Sequence, residues 1–259
     1  MTIKAWGQGS LAMSEIQAEF GGGNPIGLNE YHAGESYVPA GTRGSFGVIP
    51  ASGAIAIRHF YGSSDYSPGS RTYTSGTHNL TLNQGAQYLY VQMAGGGGGA
   101  AYQGNGYTHH SSGGGGGHYF YARVNVANGY RIVVNVGGGG APDASYSGGS
   151  GQTGGTGGLS RVRVYNASNA LILTLTSNGG AGGFAHHNYG TAGAGGAGSV
   201  SGSATIYNNN GGAAGTSVHK GGGWASGGGC SYPGSIGNGG GMSGQNPLAG
   251  TRGEVKVWW

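Results

Sequence analysis

The chain has 259 residues, of which only 7 % are charged, and its formal charge of +4 comes from Lys and Arg placed singly along the sequence. That length allows one or two domains, and scattered charge argues against nucleic-acid binding. No apolar run is long enough to insert in a membrane, and the single cysteine, Cys230, excludes an intrachain disulfide and a cysteine-rich zinc site.

Residues 1–62 carry four of the seven acidic residues, Glu15, Glu19, Glu30 and Glu35. Met1 to Phe20 lacks the apolar core of a secretory signal peptide. Ser14 and Gln17 have capping-box spacing, Ile16 and Phe20 sit one turn apart, and Gly21 to Gly23 stop the run, so a short helix is predicted. Asn24-Pro25 opens a second turn carrying Leu28 and Tyr31, and Ser52-Gly53 a third carrying Ile55, Ile57 and Phe60. These pieces are too small for a catalytic domain.

Residues 63–92 read as connecting strands. Predicted strands are Leu80 to Leu82, Tyr88 to Met93, Tyr119 to Val126, Tyr130 to Val136, Arg161 to Tyr165 and Leu171 to Thr176. Asn128-Gly129 suits a hairpin turn between the third and fourth, and Asn166 to Asn169 one between the last two. Val255, Val257 and Trp259 alternate as in a packed strand.

Residues 93–259 hold 51 of the 66 glycines, several at every third position: Gly148, Gly151, Gly154 and Gly157; Gly190, Gly193 and Gly196; Gly234, Gly237 and Gly240. Three residues per turn means polyproline-II geometry, which makes no internal hydrogen bonds. Without a Cβ, neighbouring backbones approach closely enough to bond laterally, giving a honeycomb with little side-chain core. Collagen would need a longer strict repeat rich in Pro, and a disordered glycine linker would not interleave β-type segments and tyrosines. The expected fold is mainly β and irregular: a small N-terminal module with short helices, then β-hairpins and a polyglycine-II sandwich.

The order of segments carries a resemblance. Tyr88-Leu-Tyr-Val-Gln-Met-Ala runs into Gly95 to Gly99, and Gly129-Tyr-Arg-Ile-Val-Val-Asn-Val into Gly137 to Gly140. Gly158-Leu-Ser-Arg-Val-Arg-Val, glycine triplets and a terminal Glu254-Val-Lys-Val-Trp follow. Over residues 77–259 this resembles the glycine-rich receptor-binding adhesins at the long-tail-fibre tips of T-even-like bacteriophages. Ser14-Glu-Ile-Gln-Ala-Glu-Phe-Gly-Gly, Ile49-Pro-Ala-Ser-Gly-Ala-Ile and Phe60-Tyr-Gly look like a short module of phage virion proteins. The resemblance implies a non-enzymatic virion component, made in the bacterial host cytoplasm. Its N-terminal module would dock on other tail-fibre proteins, and its loops would bind a bacterial outer-membrane protein or surface glycan. A homo-oligomer is left open.

On a glycine scaffold, the non-glycine insertions are the loops, where recognition concentrates. Receptor-binding candidates are Tyr102, Asn105, Tyr107, His109 and His110; Phe184, His186, His187 and Tyr189; Tyr207 and Asn209; His219, Trp224 and Tyr232. Aromatic rings give contact area at low entropy cost, while Asn and His give hydrogen bonds. Packing filler between glycine helices is the competing role for the same side chains. The His pairs admit a metal, yet adjacent histidines diverge on an extended chain, so no metal and no cofactor is expected. Between Tyr66 and Gly253 the only carboxylate is Asp143, which leaves a paired-carboxylate hydrolase no second group. A virion decoration or collar protein is the alternative reading, and an antifreeze-like protein a second one.

Overall fold

The computed structural model describes residues 3–25, 27–38, 42–63, 69–82, 86–104, 109–127, 129–145, 151–219, 225–243 and 245–259, and nothing of the side chains of Ser145 and His219. Asn105, Tyr107, Asn128, Gly148 and Trp224 lie outside them.

The N-terminal module folds around its own small core. Helix α1 (Met13–Phe20) turns Ile16 and Phe20 inward, as their spacing predicts. Its N-cap is Ala12 instead of Ser14, because the Glu15 carboxylate reaches back to accept from the Ala12 N–H at 2.8 Å. Short 3-10 turns at Leu28–Tyr31 and Ile57–Phe60 add Tyr31 and Phe60 to the core. The hairpin of β1 (Arg43–Gly44) and β2 (Gly47–Val48) closes beside the second turn.

From residue 70 the chain alternates strands with glycine-rich segments, numbered I to X. β3 (Ser70–Tyr73), β4 (Gly76–Thr81) and β5 (Tyr88–Ala94) lead into I (95–100). β6 (Ala101–Gly104) and β7 (His109–Ser112) link I to II (113–118). β8 (Tyr119–Asn125) and β9 (Arg131–Val136) lead to III (137–142), and β10 (Asp143–Ser145) and β11 (Gln152–Thr153) to IV (154–158). β12 (Ser160–Tyr165) and β13 (Leu171–Ser177) lead to V (178–183), and β14 (Phe184–Ala185) and β15 (Gly190–Thr191) to VI (192–197). β16 (Gly198–Gly202) and β17 (Thr205–Asn210) lead to VII (211–216), and β18 (Ser217–His219) begins the link to VIII (225–230). Segment IX (237–241) follows, then β19 (Met242–Ser243), β20 (Asn246–Pro247), X (248–253) and β21 (Glu254–Trp258).

Two five-stranded sheets, ordered β16-β13-β12-β9-β4 and β17-β8-β5-β21-β3, face each other as a sandwich. Their inward residues alternate along each strand: Leu89, Val91 and Met93; Val162 and Val164; Leu173 and Leu175; Val255 and Val257. The hydrophobic core thus lies between the strands, while the honeycomb itself has little side-chain core, as expected. The hairpin expected at Asn128-Gly129 is corrected. β8 and β9 do not pair but cross from one sheet to the other, because both carry inward apolar residues that face each other across the core. The β12–β13 hairpin forms as predicted. The boundary drawn at 92/93 falls inside β5, so the strands from residue 70 share sheets with the later ones.

The glycine segments are three-fold helices packed side by side. In I, successive N–H groups donate to three neighbours in turn: Gly95 and Gly98 to II, Gly96 and Gly99 to IV, Gly97 and Ala100 to X, at 2.8 to 3.0 Å. The carbonyls of I accept from III, V and IX. II likewise donates to V, VII and IX and accepts from I, VI and VIII. These bonds fix a hexagonal array with rows IV-V-VI, III-I-II-VII and X-IX-VIII. The pairing registers run oppositely for odd and even segments, so the chain goes up and down by turns. At about 3.1 Å per residue, six residues span roughly 19 Å.

The two segments enclosed on all sides contain the two runs of five glycines, 95–99 and 113–117. A methyl group on Gly98 would land on the Ala181 carbonyl oxygen, and one on Gly115 on that of Ala194. Peripheral segments have outward positions that tolerate a side chain, as at Thr156 and Ala214, although Gly138 and Gly229 also face outward. Of the scaffold glycines predicted, Gly154, Gly157, Gly193, Gly196, Gly237 and Gly240 lie in the array. Gly151 and Gly190 instead lie beside or in short strands, and Gly234 in a turn with φ +89°.

Candidate functional site

Alternation of direction sorts the loops between two ends. Every link from an odd to the next even segment emerges at one end, here the tip; the links from even to odd pass through the sandwich or, for VIII to IX, along its flank. The tip therefore gathers the described residues 101–104, 109–112, 143–145, 151–153, 184–191, 217–219, 242–243 and 245–247. The first sixty residues join at the opposite end, since Ser70 of β3 pairs with Trp258, the end of β21 farthest from the array.

Several candidates meet at the tip. The order β10-β6-β7-β18 forms a sheet there, packed against β11-β14-β15. Tyr102, His110, Ser111 and Ser112 are buried within these layers, so Tyr102 and His110 serve as packing beneath the tip surface. The Gln103 amide is buried, and among the described residues neither of its polar atoms has a hydrogen-bond partner. His109 is half-buried and stacks on Tyr102 at 6.4 Å. His219 pairs in register with His110.

The 184–191 loop presents the open surface. Phe184 and His186 are half-buried and stack nearly parallel, and His187, Asn188 and Tyr189 are exposed, Tyr189 by 54 %. His186 lies 4.0 Å from His187 and 5.2 Å from Tyr189, ring to ring. A main-chain turn holds the cluster, with the His186 N–H donating to the Tyr189 carbonyl at 2.7 Å. The tip carboxylate Asp143 accepts from the Thr153 N–H at 3.0 Å and so ties β10 to β11. Among the described residues, no three His, Cys, Asp or Glu gather as a metal site.

Three candidates lie at the other end. Tyr207 and Asn209 stand on strand β17, where a loop was expected. Tyr207 leans on Tyr121 at 4.9 Å, in a row of rings continued by Trp258 and Tyr90. Asn209 bonds His118 at 2.7 Å. Burial pushes that imidazole below the usual His range, against the smaller upward pull of Asn209. Tyr232 is buried, meets Tyr119 edge-on and donates to Glu254 at 2.7 Å. Burial, and then the negative Glu254, raise the Tyr232 phenol far above its usual range.

A second surface was not foreseen. On the N-terminal module Trp6, Phe46 and Val48 are 61 %, 49 % and 47 % exposed, with Trp6 set edge-on to Phe46 and Tyr61. Isolated apolar residues in a loop-rich segment give no periodic signal, so only their convergence reveals the patch.

No curated protein matches the chain significantly. A family described as a glycine-rich domain (Gly_rich_2) matches residues 71–257, the span from the first sandwich strand to the last. That match covers well over half of the molecule, and the chain belongs to this glycine-rich domain family.

Proposed function

We propose that the protein is a non-enzymatic adhesin at the tail-fibre tip of a T-even-like phage, binding a bacterial outer-membrane protein or surface glycan through its tip loops. The observation that carries this reading is the separation of ends: the described parts of the links that follow the odd segments gather where those segments stop, and the N-terminal module joins at the far side. A rigid array projecting loops away from an attachment module suits host contact at the end of a fibre. His186, His187 and Tyr189, with His109 beside them in the tip, supply adaptable hydrogen bonding and aromatic area. Trp6, Phe46 and Val48 provide the docking face toward the fibre, since an exposed apolar patch marks a protein contact. With Asp143 engaged by Thr153, the tip has no second carboxylate for hydrolysis.

Gold-labelled antibody against residues 184–191, applied to intact virions, tests the assignment. Label at the distal fibre end is the expected result. Label at the neck, head or tail shaft overturns it in favour of a decoration or collar protein.

A further inference from the structure

The outer face of the β16-β13-β12-β9-β4 sheet has a chemistry that neither packing nor the tip accounts for. Its inward residues, Ile132, Val134, Val162, Val164, Leu173 and Leu175, fill the core. Strand alternation therefore turns Arg131, Arg161 and Arg163 outward. Arg161 stands opposite Asn135, Arg163 opposite Val133, and Arg131 opposite Tyr165 on the neighbouring strand. Two residues apart along β12, Arg161 and Arg163 repeat at roughly 7 Å. None of the five strands contains an Asp or Glu, and among the described residues none of the three arginines is in an ion pair.

Neutral partners hold two of these arginines in place. Arg131 donates to Asn169 at 2.8 Å and lies 4.1 Å over the Tyr165 ring. Arg163 donates to Asn135 at 3.4 Å. The Nε atoms of Arg161 and Arg163 are covered, and Val133 is buried despite facing outward. Their stems therefore lie flat over the sheet, with the charged ends at its surface. Three cations, Arg131 and Arg163 held by amides and none with a counter-charge among the described residues, suit anionic groups, and the guanidinium fork matches phosphate and carboxylate oxygens.

We propose that this face binds an anionic glycan, one carrying phosphate or carboxylate groups along its chain. The flanking amides and hydroxyls, Asn79, Asn135 and Thr77, suit sugar hydroxyls. Single-stranded nucleic acid fits less well, because base stacking needs open aromatic faces. The one Tyr of these strands, Tyr165, is covered by Arg131, and His78 stacks on Tyr73. The proposal is independent of the tip assignment, which is tested by position on the virion.

Binding of the full chain to phosphomannan, alginate, neutral dextran and duplex DNA, measured by calorimetry at low and raised salt, tests it. Binding to phosphomannan or alginate that weakens with salt, without binding to dextran, is the expected result; which of the two binds distinguishes phosphate from carboxylate. The Arg161→Gln/Arg163→Gln variant, with an unchanged circular dichroism spectrum, should lose at least tenfold in affinity. Arg161→Lys/Arg163→Lys should retain part of it, and Arg71→Gln/Arg123→Gln on the other sheet should match the parent. No binding to either anionic glycan, equal loss in the Arg71/Arg123 variant, or tighter binding to DNA than to both glycans would overturn the assignment.

Discussion

The sandwich and the glycine array are built from the same strands yet held together by different forces. β5 ends at Ala94 and the chain continues directly as segment I, and the same happens where β13 becomes V and β9 becomes III. On the sandwich side, inward Val, Leu and Met side chains fill the space between sheets, and the hydrophobic effect does most of the work. Past Ala94 the side chains vanish and backbone meets backbone, so hydrogen bonds in three directions replace the core. A chain can thus exchange one mode of cohesion for the other within a single residue, provided every enclosed position is glycine.

The sharpest way to break this comparison is to place a methyl group in each region. Gly98→Ala and Gly115→Ala push a Cβ onto a neighbour's carbonyl, and because each segment is pinned on all sides we expect loss of the folded array. Chemical denaturation and circular dichroism would read this. In the sandwich, Leu175→Ala should cost about 2–5 kcal/mol, a cavity effect that leaves the array intact. Equal tolerance of all three variants would show that the array is not backbone-packed.

Acid should act at the seam between the two regions. His118 joins segment II to β8, and its folded pKa is lowered by burial. The unfolded chain, with a His pKa near about 6.5, takes up the proton first. Stability is therefore full above about pH 6.5 and falls as the pH drops toward the folded pKa. His118→Phe should flatten that part of a melting-temperature profile; an unchanged slope would place the titration elsewhere. The smallest effect belongs to Gly138→Ala and Gly229→Ala, where a Cβ meets nothing within 4 Å. Their melting temperatures should stay within a degree or two of the parent, as for surface changes of under about 0.5 kcal/mol.

Much of this architecture was legible in the sequence. Alternation at Val255, Val257 and Trp259 gave β21, and the apolar runs gave β5, β9, β12 and β13, because sheet burial imposes a period of two. The triplet glycines pointed to three-fold helices, yet they mark mainly the peripheral ones. The two pure runs at 95–99 and 113–117 carried the stronger signal, since only an enclosed helix needs glycine at every position. Pairing was harder to read. Asn128-Gly129 has hairpin chemistry, but which sheet a strand joins depends on partners far along the chain. At the tip, aromatic and His content pointed to residues that the structure places in 101–104, 109–112 and 184–191, while burial of Tyr102 and His110 follows from layer packing that no local pattern encodes. Tyr207 and Tyr232 were grouped with them by composition, and the up-and-down order of segments sends both to the other end.

The most direct test of the account is amide hydrogen exchange at 95–100 and 113–118, followed by NMR on the intact chain. Lateral hydrogen bonding predicts protection in these glycine runs equal to that of β5 and β8. Exchange as fast as at the exposed Gly7 and Gly9 would contradict a bonded array and leave the two hydrophobic cores, of the sandwich and of the N-terminal module, to hold the fold.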